Sequence, residues 1–474
     1  IIDSIAAELL HVQKMAESSS AFLKRKRMNE RCLFSFMCVR RKQKMTHKKR
    51  SVTPVQLIAL GFLIMMLLVT GLLLLPVSQR HPGSLSVVEA AFTAVSAVST
   101  TGLTVVDTAS TFSTFGYVVL CISMQIGGLG ITSIGAGLIA FTGRKLRMRD
   151  QVLVQEALNY PTMKDVQVLI RSVLITTITV ESSAAFVGWF LFRQQFDVLP
   201  ALGIAIFHSV STFNHAGFDI LGGLLSYRND VGLQLLTIAE NILGGFGFFV
   251  ILDILRNQRF HKFSLHTKVV LTTSGFLDLT SSLLLKAIEG DSLSWVNAFF
   301  MGITSRTSGL TIANVGDFSN ASQLLISVLM YIGASPGSTG GGVKVTTIFV
   351  LFRTIVAYPR GEQPGAFRKR FSAGTVQQAM VVCSLAISIV FAISFILCLL
   401  NPTLPFLSLL FETASAFSTV GLSTGITSSV ATLGKWLLMA AMFGGRLGTL
   451  TVVSLWFRKH RQTILLPVES ISVG

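Results

Sequence analysis

The sequence predicts an all-α polytopic membrane protein: four tandem units of span, short re-entrant pore helix and span, arranged around a pseudo-fourfold central pore with eight transmembrane helices. Three observations lead there. The 474 residues are 51% hydrophobic and 13% charged with a mean hydropathy of +0.66, outside the balance of a soluble globular domain. Apolar runs of membrane-spanning length recur along the chain. One polar, glycine-containing loop returns four times between them.

The apolar runs lie at 57–75, 118–141, 168–192, 235–255, 269–288, 324–355 with an interruption, 376–400 and 436–457. Alternating their ends places most of the 39 Lys and Arg on one side: 13 in 1–50, six in 143–171, four in 256–268, five in 353–370 and three in 458–461. Only Arg80, Arg193, Arg228, Lys286 and Lys435 fall opposite. Short loops rich in Lys and Arg stay in the cytoplasm, so both termini are expected there, in a multi-pass protein of the plasma membrane. The formal net charge of +17 therefore needs no nucleic acid to explain it. The basic arm 1–50 reads as solvated or in contact with anionic membrane lipid. It lacks the signal-peptide order of charge, short apolar stretch and cleavage site. The chain opens on Ile, and Met45 stands just before the first run, so part of the arm is expected to be upstream sequence. Of the five cysteines, Cys121, Cys383 and Cys398 lie in apolar runs, and with no CxxC spacing they read as inert buried thiols.

The recurring loops are FTAVSAVSTTGLT from Phe92, FHSVSTFNHAGFD from Phe207, FFMGITSRTSGLT from Phe299 and FETASAFSTVGLS from Phe411. In each, Phe stands ten residues before a glycine, at Gly102, Gly217, Gly309 and Gly421. A second glycine cluster follows each one: IGGLG at Ile126, LGGFG at Leu243, IGASPGSTGGG at Ile332 and FGGRLG at Phe443. This divides the chain into the arm 1–50, repeats at 51–149, 150–260, 261–360 (its second span broken) and 361–461, and a tail 462–474. A helix of some ten residues cannot cross a bilayer, and irregular backbone cannot face lipid, so each loop must re-enter and line a protein-walled path. Four loops around one axis can offer carbonyl oxygens in place of a cation's hydration shell. The glycines supply the backbone angles that aim those carbonyls, and the short helices point negative dipole ends at the same place. A selectivity filter is the reading.

The loops STTGL, NHAGF, RTSGL and STVGL, together with MQIGGLG and the interrupted sixth run, resemble the Trk/Ktr/HKT superfamily of potassium transporters over nearly all of 51–474. Eight spans without a preceding hairpin are most similar to the Ktr-type membrane subunit. The resemblance implies K⁺ uptake, commonly Na⁺-dependent, in a homodimer seated on a separate cytoplasmic RCK-type nucleotide-binding regulatory ring, with no organic cofactor. The filter carbonyls are then expected at Thr100, Thr101 and Gly102; His215, Ala216 and Gly217; Thr307, Ser308 and Gly309; and Thr419, Val420 and Gly421. Ser96, Ser211, Asn214, Thr304 and Ser415 would brace the loops. His215, a lone histidine, reads as structural rather than as a metal ligand. Arg306 would turn away from the ion path towards carbonyls or a carboxylate. Na⁺-conducting plant members carry Ser at the first filter glycine, and Gly102 argues against that version.

The stretch GASPGSTGGGVK cannot continue a helix, so the sixth run should break into two halves joined by a flexible loop at about mid-depth. The resemblance makes this the gate, carried by Gly333, Gly337, Ser338, Thr339, Gly340, Gly341, Gly342 and Lys344. A phosphate-binding loop is excluded: no hydroxyl follows Lys344 directly and no strand precedes. Arg446, central in the last run, must face a cavity or a partner; it is expected both to present positive charge beneath the filter and to pin the gate loop through carbonyls. Glu181, Glu240 and Asp278 are candidate partners of Arg306 or Lys344, and the sequence does not pair them. No HExxH, no GxSxG and no Cys/His site argues for an enzyme. An alternating-access carrier would also contain broken helices, but its repeats are longer bundles. The tail 462–474 is expected to pack on a second protomer.

Overall fold

The computed structural model describes residues 54–130, 166–449 and 451–452. The expectations for the basic arm, Cys32, Cys38, the 143–165 connection and the tail lie outside these residues. The described helices come in four successive groups. The first holds α1 (Pro54–Leu74), α2 (Val87–Val98) and α3 (Thr114–Leu129). The second holds α4 (Val166–Phe192), α5 (Val198–Phe213), α6 (Val231–Phe246) and α7 (Phe248–Asn257). The third holds α8 (Leu265–Glu289), α9 (Trp295–Thr307), α10 (Asn320–Tyr331) and α11 (Val345–Ala357). The fourth holds α12 (Ala373–Leu400), α13 (Phe406–Ser418) and α14 (Thr432–Leu447).

The leading helix of every group is long and apolar enough to cross a membrane, since at 1.5 Å per residue about 20 residues match a hydrocarbon core of about 30 Å. Their outward faces are apolar: Leu60, Leu63, Ile64, Leu67 and Leu68 of α1 are all exposed. The second helix of each group, 12, 16, 13 or 13 residues long, is shorter than that. Two of these short helices open on serine caps that satisfy first-turn N–H groups. Ser86 and Glu89 form a capping box on α2, in which hydrogen bonds from the Ser86 backbone and side chain hold the Glu89 carboxyl below its ordinary pKa. Ser294 accepts from the Asn297 N–H on α9 at 3.2 Å. The Phe at the head of each loop motif is buried in three groups, at Phe92, Phe207 and Phe411. In the third, Phe299 is 36% exposed and Phe300 is buried instead.

Of the eight expected spans, four are helices long and apolar enough to cross a membrane among the described residues, or five if one bent pair counts as a span. In every group the helix that follows the loop stops at the second glycine cluster. α3 ends at Gly130 with φ 81°. α6 ends at Gly247, also φ 81°, where α7 turns away by 94°. α10 ends before the 332–344 loop, and α14 ends at Gly448 with φ 87°. Apolarity alone made 118–141, 235–255 and 436–457 look continuous; a single glycine in the left-handed half of backbone space stops each helix.

The same clusters let backbones meet. A Cβ on Gly127, Gly244 or Gly445 would collide with the carbonyl of Val98, Phe213 or Phe417 respectively, each four residues before a loop glycine. The last helix of the group thus rests on the inner end of its own short helix. Gly247 is the tightest test of the breaks, because a Cβ there would lie 2.7 Å from Ser335 Oγ and 2.8 Å from the Pro336 carbonyl. Gly247→Ala is expected to destabilise the protein by roughly 1–3 kcal/mol. Gly275→Ala, in α8 with open space around it, should be neutral or stabilising by up to about 1 kcal/mol. Thermal unfolding in detergent, followed by tryptophan fluorescence, checks the pair; equal midpoints would remove the role assigned to Gly247.

Candidate functional site

Each short helix delivers its loop in the same way. In the first, second and fourth groups the residue two before the glycine turns left-handed, at Thr100 (φ 54°), His215 (φ 54°) and Thr419 (φ 53°). The chain then folds back on its helix: Thr101 N donates to Ser96 O at 2.8 Å, Ala216 N to Ser211 O at 2.8 Å and Val420 N to Ser415 O at 2.9 Å. The serine hydroxyls complete the brace. Ser96 Oγ and Ser415 Oγ accept from Gly102 N and Gly421 N at 3.0 Å, and Ser211 Oγ donates to Phe218 O at 2.6 Å. These side chains occupy bracing positions.

The loops meet in a closed circuit. A Cβ on Gly102 would sit 2.6 Å from the Ala216 carbonyl oxygen, and one on Gly217 would sit 2.5 Å from that of Ser308. Those on Gly309 and Gly421 would run into the carbonyls of Val420 and Thr101. Each glycine therefore lies against the residue preceding the glycine of the next group, and the fourth returns to the first. All four glycines have positive φ, between 68° and 99°. Eight of the twelve expected residues meet in this ring, the four glycines and Thr101, Ala216, Ser308 and Val420 before them; Thr100, His215, Thr307 and Thr419 stand one residue further back in the chain. Carbonyls gathered at the ends of four short helices can replace cation hydration and repel anions.

The third loop departs from the pattern. α9 runs on to Thr307, so Thr307 remains helical where Thr100, His215 and Thr419 turn left-handed. Ser308 N and Gly309 N both donate to Thr304 O at 3.0 Å. The missing serine brace is supplied from outside the group by buried Asn241 of α6. Asn241 Nδ2 donates to Ser308 Oγ at 2.6 Å and its Oδ1 accepts from Thr307 Oγ1 at 3.0 Å. Sequence reasoning missed Asn241; it stands three residues before the second glycine cluster, with nothing in its spacing to mark it. Gly244 and Gly245 face the buried ring of His215, a packing arrangement that fits a structural histidine.

Below the ring lies the 332–344 loop. Thr339 Oγ1 donates to the Phe213 carbonyl at 2.8 Å, and Ser335 N to Gly245 O at 3.1 Å. Phe248 N donates to Gly337 O at 3.1 Å and Gly333 N to Val343 O at 2.9 Å. Ser338 Oγ closes on Ser335 O at 2.5 Å, Lys344 Nζ on Gly340 O at 2.7 Å, and Gly341 packs against the Thr419 side chain. The loop expected to be flexible is bonded to the second group and to itself through these donors and acceptors. Arg446 pins it as well: one guanidinium nitrogen donates to Thr339 O, and another to Gly127 O and, at 2.8 Å, to Gly128 O. The bonds to the first group were not legible in the sequence, since a backbone carbonyl leaves no mark in residue type.

The acidic residues separate. Asp278 of α8, half-buried, forms an ion pair with buried Arg306, so of the three candidate acids it is the one that meets this cation. Glu181 accepts from Asn214 Nδ2 at 2.9 Å and Glu240 from Ser209 Oγ at 2.5 Å. Neither pairs with Lys344.

Residues 30–465 match the TrkH family model, described as cation transport protein. The chain is 35% identical over 434 residues to Ktr system potassium uptake protein B of Bacillus subtilis, covering 89% of this chain and 97% of the relative. It is 34% identical over 444 residues to the potassium/sodium uptake protein NtpJ of Enterococcus hirae, covering 90% and 98%. The crystal structure of the potassium transporter TrkH from Vibrio parahaemolyticus superposes with a TM-score of 0.68 at 19% identity, over 87% of this chain and 86% of that one. The four groups of helices, their ring of glycine loops and these matches agree, and the chain belongs to the TrkH family of cation transport proteins rather than to a family of enzymes.

Proposed function

We propose that the protein takes up K⁺ across the plasma membrane through a pore whose filter is the ring of four loops. The observation that carries this reading is the closed circuit of glycines on carbonyls, which joins eight residues from four groups. The relatives named for potassium uptake in Bacillus and for potassium/sodium uptake in Enterococcus support K⁺ as cargo, with Na⁺ as the accompanying ion. Each group then crosses the membrane twice, its second span bent at glycine, giving eight spans with both termini in the cytoplasm. The Bacillus relative is named as one protein of a system, which supports a cytoplasmic nucleotide-binding partner ring beneath a homodimer of this chain.

In this reading the 332–344 loop and Arg446 are the gate. The loop plugs the path below the filter, and the buried guanidinium adds a positive charge on the route of a cation while its hydrogen bonds hold the plug shut. The direct test of function is growth of a K⁺-uptake-deficient bacterium at limiting K⁺, with and without Na⁺ and a regulatory subunit. Failure of rescue under every condition would overturn the assignment.

Two outcomes follow from the geometry. Gly102→Ser or Gly421→Ser inserts atoms where a neighbouring loop's backbone lies, so two quarters of the ring are displaced by one change. The preference for K⁺ over Na⁺ should fall about tenfold or more, a loss of ~1.4 kcal/mol in discrimination, in ⁸⁶Rb⁺ uptake competed with Na⁺. Ile303→Val should leave it unchanged. Arg446→Gln, or shortening of the 337–342 stretch, frees the plug; flux into reconstituted vesicles should rise and lose its dependence on the cytoplasmic subunit. Unchanged flux in both would place the barrier elsewhere.

A further inference from the structure

Beside the second loop, several buried side-chain oxygens lack hydrogen-bond partners, Glu240 Oε2 and Asn214 Oδ1 among them, next to the half-buried carboxylate of Glu181. Glu240 of α6 is 2% exposed; its Oε1 accepts from Ser209 Oγ at 2.5 Å, while Oε2 has no hydrogen-bond partner. Glu181 of α4 reaches the same hydroxyl: its main-chain carbonyl accepts from Ser209 Oγ at 3.0 Å. Its carboxylate accepts from Asn214 Nδ2 at 2.9 Å. Two carboxylate residues thus meet around one serine. Neither is among the ion pairs of the described residues, which are Lys286 with Asp291 and Arg306 with Asp278. Asn214 is fully buried; its Nδ2 is shared among Glu181 Oε1, Gln125 Oε1 at 3.0 Å and Val210 O at 2.9 Å, while its Oδ1 has no partner. One helical turn deeper, on the faces that carry Glu181 and Ser209, Thr177 Oγ1 and Thr212 Oγ1 are also buried without partners. His208, the nearest imidazole on α5, is taken up by Thr237 at 2.9 Å.

Carboxylates at membrane depth are costly without a counter-charge. A proton would complete one of these oxygens; a bound cation would complete several and supply the charge. The donors are all hard oxygen, the set that suits alkali and alkaline-earth ions rather than transition metals. We propose that Glu181, Glu240 and Asn214, with Ser209 orienting Glu240, bind one Na⁺ at a site separate from the ring of loops. The site is joined to the ring through Asn214, three residues before Gly217. Ion occupancy there would fix the second loop, so Na⁺ would support the filter without passing through it.

Its physiological meaning rests on the uptake reading, but its test does not. Purified protein in detergent, free of K⁺, is titrated with NaCl against N-methyl-D-glucamine chloride at constant ionic strength, and thermal unfolding is followed. Na⁺ is expected to raise the midpoint saturably in the native protein and in Gly421→Ser, whose added atoms meet the first loop and not the second. The rise should vanish in Glu240→Gln, and Ser209→Ala should need roughly tenfold more Na⁺. Should Glu240→Gln fail to fold, Glu181→Gln is expected to lose the Na⁺ response in its place. Retention of the full response in the carboxylate variants would overturn the site, as would its loss in Gly421→Ser alone, which would put the ion in the ring. A midpoint raised by acid and indifferent to Na⁺ would assign the pair to a proton and overturn it as well. Failure of growth rescue would count against K⁺ uptake while leaving the unfolding result to decide this site.

Discussion

The structure depends on backbone lying directly against backbone. At Gly102, Gly217, Gly309 and Gly421 there is no room for a single carbon between one loop and the next carbonyl. The arrangement is therefore possible only where the side chain is hydrogen and the backbone can take a positive φ. Everything else serves that contact. The short helices bring the loops inward, the serine braces fix their curl, and the second glycine clusters let the supporting helices close in behind. With water scarce at this depth, the curled segments also need internal partners for their N–H groups, and Ser96, Ser211, Thr304 and Ser415 supply them.

Arg446 extends the same economy below the ring. Through it, one side chain from the fourth group bonds carbonyls of the first and of the third, while Thr339 bonds the carbonyl of Phe213 in the second. A guanidinium presents five donors in a rigid fork, and the carbonyls left free at helix breaks are suitable acceptors. The breaks at Gly130 and in the 332–344 loop thus create the acceptors that make a buried arginine tolerable there, and the arginine in turn joins groups that share no helix.

Much of this was legible in the residues. Four glycines at matching places after a phenylalanine, each followed by a second cluster, carried the fourfold reading, because glycine at a fixed place reports a backbone requirement. Arg446 carried its own position, since a charge in an apolar run must face a partner. What stayed hidden has a common cause. The breaks at Gly130, Gly247 and Gly448 fall in runs whose apolarity is continuous, and hydropathy does not register φ. Asn241 and the Gly127 and Gly128 carbonyls act across groups, so their roles appear only once helices are packed. The pairing of Asp278 with Arg306, against Glu181 or Glu240, was a choice among equals until α8 was set beside α9. The third loop is the instructive departure: RTSGL matched its relatives in type, yet α9 runs on to Thr307 and Phe300 replaces Phe299 inside.

That out-of-step third quarter bears on how such a ring can change. In an assembly of identical chains, any alteration is made at every corner at once, so a change that one corner would tolerate is multiplied around the axis. Here the four corners are separate stretches of one polypeptide. Asn241 shows one corner held with borrowed support while the other three keep their serines, and the 332–344 loop shows one inner helix interrupted by a long glycine-rich loop where its counterparts stop at a single glycine. A covalently joined ring can therefore divide labour among its quarters, letting one depart in structure while the rest keep the shared geometry.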